Sequence, residues 1–330
     1  MNTSIPYSYL YGPVPSRRLG RSLGIDLVPY KQCTYDCIYC QLGSTGNTTM
    51  HRKEYVPTTA VLAELQRKLS DQDRPDYISL AGSGEPTLHS GIGELILGIK
   101  RLTTIPVAVL TNGSLLWMPE VHEALRAADL VMPSLDAGDA DTFRLVNRPH
   151  ADVSFENMVA GLTTFCSTFK GHSWLEVLLL AGINDDDASV RRIAALAEQI
   201  KPTCVQLNTV CRPPAEGHAT AVTHERLQIL SNLFRGPVEI ISDIPGPVAT
   251  ASINDHAHHT SILALLQRRP CTAQDLSIGL NLHLNDILKQ LHTLQITGVV
   301  QETPARPGYY QPVRTQKDRP AGTSAETVHV

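Results

Sequence analysis

The stretch Lys31-Gln-Cys-Thr-Tyr-Asp-Cys-Ile-Tyr-Cys40 places three cysteines within eight residues, separated first by three and then by two positions. Three thiolates on one short loop can hold three irons of a [4Fe–4S] cube, and they leave the fourth iron without a protein ligand. A structural cluster normally takes four cysteines. Cys33, Cys37 and Cys40 therefore predict a metal centre with one iron kept open for another ligand.

A structural zinc site is the main alternative for these three cysteines. Zinc sites usually show a second pair of cysteines, or histidines, further along the chain, whereas the remaining four cysteines here are scattered: Cys166, Cys204, Cys211 and Cys271. A disulfide framework is disfavoured, because seven cysteines is an odd count in a long chain without a signal-peptide pattern. The spacing favours an iron–sulfur cluster, with zinc or a chance spacing left open.

Composition predicts an ordinary globular chain. Its 330 residues suit one large and one small domain, and 42% of them are hydrophobic. The net charge of −4 gives no overall attraction to nucleic acid or to anionic membranes. Because no apolar run approaches the roughly 18 residues of a spanning helix, we expect no membrane association. Free thiols and a cluster predict a reducing cytoplasm as the location.

Short apolar runs alternate with helical patterns along most of the chain. The predicted strands cover residues 22–28, 76–81, 106–110, 130–135, 174–180, 204–209 and 238–241. The predicted helices between them cover residues 58–69, 91–101, 119–127, 154–169, 187–200 and 223–234. Strands separated by single helices predict parallel βαβ units, and six such units can curl into a barrel or partial barrel. The expected class is α/β.

Polar residues follow these strands at the points where the strands end. In parallel α/β folds the loops at the carboxyl ends of the strands share one face, where chemistry takes place. We therefore expect one site around the cysteine loop, to which distant segments contribute: Gly82 to Glu85, Asn112, Asp136, Asn184, Cys211 and Arg212.

The C-terminal part has a different pattern. Residues 1–245 are predicted as the barrel domain, 246–257 as a linker, 258–315 as a small domain and 316–330 as a disordered tail. Three short helical patterns, the third capped by Asn281, precede a hairpin at 299–303 and 308–312. This order resembles a winged helix-turn-helix. Residues 256–317 hold six Lys and Arg against three Asp and Glu, which is a weak footprint for duplex binding.

Residues 10–245 resemble one branch of the radical S-adenosylmethionine (SAM) superfamily, a branch similar to the tRNA wyosine-base-forming enzymes. Five stretches carry the resemblance besides the cysteines: Gly12 to Gly24, Gly82 to Thr87, Met132 to Ala137, Asn147 to Pro149 and Arg212 to Glu216. The resemblance implies a partial (β/α)6 barrel, a [4Fe–4S] cluster and SAM. It also implies reductive cleavage of SAM to a 5′-deoxyadenosyl radical, which removes hydrogen from a substrate.

The same resemblance does not identify the substrate. Wyosine-type enzymes carry extra cysteines before the radical motif, and no cysteine precedes Cys33 here. RNA-base modification stays one option, with an RNA or protein substrate presented by the C-terminal domain. A one-electron donor such as flavodoxin or ferredoxin is the expected partner. The alternative from another class is a redox-sensing transcriptional regulator with an iron–sulfur cluster, which the absence of a basic recognition helix disfavours.

The resemblance also implies residue roles around SAM. Tyr39 occupies the aromatic position beside the adenine, and Gly82, Ser83, Gly84 and Glu85 match a Gly-Gly-Glu motif that holds the SAM ammonium, with Ser83 as a departure. The expected contacts with the ribose, adenine or SAM carboxylate come from strand-end side chains: Asn112, Ser134, Asp136 and Asn184. Arginine forks suit carboxylates and phosphates. The arginine candidates for the SAM carboxylate or an anionic substrate are Arg17, Arg18, Arg148 and Arg212.

Overall fold

The computed structural model of the chain describes residues 7–70, 74–241, 255–280, 282, 284–304 and 306–313. The predicted tail, the predicted cap Asn281 and residues 246–254 of the predicted linker lie outside the described residues. Residues 255–257, which the sequence assigned to the linker, are instead the first turn of a helix.

One large sheet organises the N-terminal domain. Its eight strands lie in the order in which they occur along the chain. They are β1 (Leu10–Ser16), β2 (Gly20–Ile25), β3 (Tyr77–Leu80), β4 (Val107–Thr111), β5 (Leu130–Pro133), β6 (His172–Leu179), β7 (Cys204–Thr209) and β8 (Val238–Ile240). Strands β2 to β8 are parallel, which confirms the predicted α/β class with a parallel sheet.

Strand β1 was not predicted. It pairs antiparallel with β2 and forms an edge of the sheet. Its sequence contains Pro13 and Pro15, and a proline cannot donate to a sheet ladder, so the segment does not look like a strand. An edge strand tolerates proline because one side of it needs no partner.

Helices connect the parallel strands. They are α1 (Thr58–Leu69), α2 (Ile92–Leu102), α3 (Pro119–Leu125), α4 (Ala140–Asn147), α5 (Phe155–Thr168), α6 (Asp187–Ile200) and α7 (His224–Ser231), with a short 3-10 helix at Pro86–Leu88. Only α4 was missed, because its eight residues give too few turns for a clear apolar period. The carboxylate of Asp139 caps it by accepting from the Thr142 N–H at 2.8 Å.

Alternation along the strands divides the buried side chains into two sets. One set packs with the helices in the main core, for example Ile78, Val109 and Val131. The other set includes a smaller apolar cluster of Leu19, Ala108, Leu130 and Met132. The polar strand residues Ser79, Glu176 and Asn208 alternate with the main-core set and border the cavities described below.

The C-terminal elements are α8 (Asp255–Arg268), β9 (Cys271–Thr272), α9 (Ala273–Leu280), α10 (Leu284–Ile296), β10 (Val300–Glu302) and β11 (Tyr309–Pro312). The strands form a small sheet in the order β10-β11-β9. Val14 of β1 is buried in the same apolar cluster as Ile262 and Leu276. The unpredicted strand β1 therefore packs against the C-terminal elements. No helix in the described part of the chain is long and apolar enough to cross a membrane.

Candidate active site

The three motif cysteines line one cavity of about 290 Å³ beside the ends of the parallel strands. The same cavity is lined by Tyr39 and by the turn that follows β3. Segments that are far apart in sequence contribute the rest of the wall, among them Gly82, Ser83, Gly84, Cys211 and Arg212. The convergence of strand-end residues on the cysteine loop, expected from a parallel sheet, is therefore present for these residues.

Backbone hydrogen bonds fix the cysteine loop onto the turn after β3. The Lys31 N–H donates to the Ser83 carbonyl at 2.6 Å, and the Glu85 N–H donates to the Gln32 carbonyl at 3.0 Å. A Cβ on Gly84 would lie 1.9 Å from the Gln32 oxygen, closer than any side chain tolerates. The sequence interpreted this glycine as giving access to a ligand. Its first role is to let two backbone segments of the protein touch.

Each motif thiol has a nitrogen donor close to its sulfur. The side-chain amide of Asn112 lies 3.6 Å from the Cys33 sulfur, and that of Asn147 lies 3.5 Å from the Cys37 sulfur. The Lys31 ammonium lies 3.7 Å from the Cys40 sulfur. Donors of this kind stabilise negative charge on sulfur, so the surroundings suit metal-bound thiolates.

Burial opposes thiolate formation in the absence of a metal. It raises the pKa of the Cys33 thiol to about 12, with a further contribution from the negative charge of Glu85. Burial also raises the pKa of Cys37 well above its ordinary value. A bound metal lowers the cost of the negative charge and removes the protons. The donor set therefore fits iron, which supplies positive charge directly at the sulfurs.

The arrangement of the three thiols differs from that of a mononuclear metal site. Among the described residues, no three His, Cys, Asp or Glu side chains are arranged to hold a single metal ion. A mononuclear site needs ligands that converge on one point. In an iron–sulfur cluster the thiolates bind different irons, so the three cysteines need only face one cavity, as they do here.

The carboxylate of Glu85 is committed to the protein. It accepts from the Thr87 hydroxyl at 2.6 Å, the Thr111 hydroxyl at 2.7 Å and the Asn112 N–H at 2.7 Å, and it is 2% exposed. Burial nevertheless raises its pKa. Its predicted contact with the SAM ammonium stays a prediction. The observed contacts give Glu85 the task of holding Asn112 beside Cys33.

Tyr39, Asp136 and Asn147 form a buried network behind the cysteines. Asp136 accepts from the Tyr39 hydroxyl at 2.5 Å, from the Asn147 amide at 2.8 Å and from the Leu178 N–H at 3.0 Å. Burial raises the pKa of Asp136 to about 6, although these hydrogen bonds lower it. The network orients Tyr39, whose ring lines the cavity, and links it to the amide beside Cys37.

Several of the side chains predicted to contact a ligand do not line the cavity. Asn184 is fully buried, accepts from the Leu180 N–H at 2.7 Å and donates to the Asp136 carbonyl at 2.8 Å. It does not line the cavity, so its arrangement is that of a structural residue that supports Asp136. Four further predicted residues also lie outside the cavity lining: Glu85, Asn112, Ser134 and Asp136.

The four predicted arginines divide into two groups. Arg148 does not line the cavity; its guanidinium lies 2.7 Å from Glu216 and 3.9 Å from Asp36 in the cysteine loop. These ion pairs connect Arg148 to the cysteine loop, and its predicted contact with SAM or an anionic substrate stays a prediction. Arg17, Arg18 and Arg212 do line the cavity.

Sequence reasoning missed several residues that the tertiary structure places in or beside the site. Asp26, at the end of β2, accepts from the Ser83 N–H at 2.8 Å and from its hydroxyl at 2.6 Å. Glu176 lies 2.5 Å from the Arg18 guanidinium. The position of Asp26 at a strand end was an available signal. No comparable signal pointed to the others: Lys31, Glu176, Arg268 and Arg269.

A parallel α/β sheet with a three-cysteine loop at its strand ends defines a protein of the radical SAM class. The family model of the Radical SAM superfamily matches residues 27–193, which is half of the chain, and the chain belongs to this superfamily. Its members use SAM and an iron–sulfur cluster. The match covers the cysteine loop, the turn after β3 and the network around Asp136.

Relatives support this membership. The chain is 35% identical over 233 residues to a UPF0026 protein of Methanocaldococcus jannaschii, covering 70% of this chain and 71% of that protein. It is 41% identical over 294 residues to a GTPase Obg of Brachyspira hyodysenteriae, covering 89% of this chain. The chain spans only 43% of the length of that second relative.

A solved structure supports the fold. A radical SAM methyltransferase from Sphaerobacter thermophilus superposes with a TM-score of 0.52 at 17% identity, covering 66% of this chain and 65% of the other. At that identity the likeness concerns the fold alone.

Proposed function

We propose that the chain is an enzyme that uses a [4Fe–4S] cluster, held by Cys33, Cys37 and Cys40, to cleave SAM reductively. The observation that carries this proposal is the cavity in which three thiols, each with a nitrogen donor, face the turn after β3. When bound, the cluster and SAM would supply radical chemistry that removes a hydrogen atom from the substrate.

The protein's own groups bind, orient and exclude water. Tyr39 would face the adenine, held by its hydrogen bond to Asp136. Gly82, Ser83 and Gly84 would receive the amino-acid part of SAM through their backbone groups. Ser83 is kept in place because both its N–H and its hydroxyl are bound to Asp26.

The remaining features belong to the same proposal. We take the N-terminal sheet as a partial (β/α)6 barrel, and the C-terminal elements as a winged-helix-like domain that docks or presents a substrate rather than binding duplex DNA. A flavodoxin- or ferredoxin-like protein would supply the electron, in the cytoplasm. No observation on the described residues favours the regulator alternative.

Formation of 5′-deoxyadenosine tests the proposal directly. The full chain is reconstituted with iron and sulfide under anaerobic conditions and mixed with dithionite and SAM. We expect 5′-deoxyadenosine and methionine by liquid chromatography and mass spectrometry, together with a [4Fe–4S] electronic spectrum. A preparation that shows the spectrum but releases no 5′-deoxyadenosine above a dithionite-free control would contradict the enzyme assignment.

Asn147→Leu tests the surroundings of the cluster. The substitution removes the amide beside Cys37 while keeping the side-chain volume. Because a donor to sulfur stabilises the more negative reduced state, we expect the reduction potential to fall by roughly 40 mV, taking about 1 kcal/mol for the bond. Spectroelectrochemical titration measures this. Asn157→Leu, on the exposed face of α5, is the matched control. Equal reduction potentials for the wild type and Asn147→Leu would contradict a hydrogen bond from Asn147 to the Cys37 sulfur.

A further inference from the structure

A second cavity, of about 170 Å³, adjoins the cysteine cavity. Both are lined by Arg17, Arg18, Gln41, Gly82 and Arg212. The second cavity therefore shares part of its wall with the cavity of the proposed SAM site. A molecule bound across the two would place one end near the cluster and the other end among the arginines.

Five arginines line this second cavity, and no carboxylate does so among the described residues: Arg17, Arg18, Arg212, Arg268 and Arg269. They come from three separate parts of the fold. One pair lies in the turn between β1 and β2, one residue follows β7, and the last pair ends α8 of the C-terminal domain. The cavity is thus completed by both domains.

Carboxylates outside the lining compensate some of this charge. Arg18 lies 2.5 Å from Glu176, and Arg268 lies 3.3 Å from Asp26. Each of these four side chains is less than 20% exposed. These two pairs hold guanidinium groups in fixed directions around the cavity, as a preorganised binding site requires.

Arg212 is buried beside a second cation, Arg269. Burial, and next the positive charge of Arg269, lower the pKa of Arg212, which means that the two cations are close and poorly hydrated. Asp275, which accepts from the Thr272 N–H, is the carboxylate that acts on both. Arg212 donates only weakly to Gln41, at 3.5 Å, and its Nε is buried without a hydrogen-bond partner in the described structure. Buried donors of this kind need an acceptor.

We propose that this cavity binds a phosphate group of the substrate, and that the substrate is a small phosphorylated molecule. The guanidinium groups in the lining come from three separate segments of the chain, and a cluster of several such groups suits the oxygens of a phosphate better than the two coplanar oxygens of a carboxylate. The small volume of the cavity, about 170 Å³, suits a terminal phosphate rather than the continuous backbone of RNA. The inference rests on the proposed function in one respect, namely that the bound molecule is the substrate.

Phosphate binding can be measured without any turnover. The reconstituted full chain is titrated with inorganic phosphate, sulfate, malonate and a short single-stranded RNA, by isothermal titration calorimetry without reductant. We expect saturable binding of phosphate, with sulfate no tighter and malonate and RNA weaker. Arg212→Met and Arg269→Met should each weaken phosphate binding by about tenfold or more. Arg269→Lys should bind phosphate more tightly than Arg269→Met and more weakly than the wild type. Lysine keeps the positive charge but lacks the paired N–H donors of a guanidinium group.

Arg126→Gln is the matched control, because Arg126 is exposed and pairs only locally with Glu123. It should bind phosphate like the wild type, and thermal melting checks that every variant is folded. Equal phosphate affinity in folded Arg269→Met, tighter malonate or RNA binding, or displacement of phosphate by SAM would each overturn the proposal. Failure to form 5′-deoxyadenosine would leave these titrations unaffected, so the two proposals fail separately.

Discussion

Replacing any one of Cys33, Cys37 or Cys40 by alanine is expected to abolish both the cluster and the formation of 5′-deoxyadenosine. Each thiol lines the same cavity, and each would bind a different iron. Two remaining thiolates would leave a second iron of the cube without a protein ligand. Iron and sulfide should fall to the level of protein that was never reconstituted.

Cys166→Ala is the matched control for these variants. Cys166 is a partly buried cysteine of α5 that packs against the main core and does not line the cavity. It should keep the iron content, the spectrum and the rate of SAM cleavage of the wild type. Full iron loading in any single motif variant would show that its cysteine is not a ligand.

Gly84→Ala is expected to have the largest effect on folding among the site glycines. The added Cβ would lie 1.9 Å from the Gln32 oxygen and 2.9 Å from a Val28 methyl group. The cysteine loop would have to move away from the turn after β3, breaking the bond from the Glu85 N–H to Gln32. We expect a loss of about 3 kcal/mol in the free energy of unfolding, since overpacking without relief is costly.

Urea denaturation of the iron-free chain measures this loss, so that metal binding does not mask it. Gly217→Ala makes the same chemical change at a position where a Cβ would contact nothing within 4 Å. Its free energy of unfolding should change by less than about 0.5 kcal/mol. If the two variants unfolded at the same urea concentration, the close approach at Gly84 would not exist in solution.

Local sequence signals were sufficient for the regular part of the fold. Strands such as β4 and β5 are almost entirely apolar because both faces of a parallel sheet are covered, and the helices between the strands carry strong apolar periods. Their order implied a parallel sheet. Strand β1 and helix α4 were not predicted. The prolines of β1 are atypical of a strand, and the eight residues of α4 give little apolar periodicity.

The candidate site was predictable only in part. Topology correctly indicated that the turn after β3 and Arg212 lie beside the cysteines. It could not tell whether a strand-end side chain faces the cavity or turns back to the backbone, which is why Asn184 and Arg148 have contacts other than those expected. That choice depends on partners such as Leu180 and Glu216 whose proximity is set by packing.

The amino-acid sequence by itself determined the cysteine spacing, the repeated strand–helix units and the end of the sheet where chemistry takes place. These follow from local preferences and from the common direction of parallel strands. Only the tertiary structure decided the surroundings of the three thiols and the meeting of Arg268 and Arg269 with Arg212. The physical reason is that such contacts join residues far apart in the chain, whose separation no local preference controls.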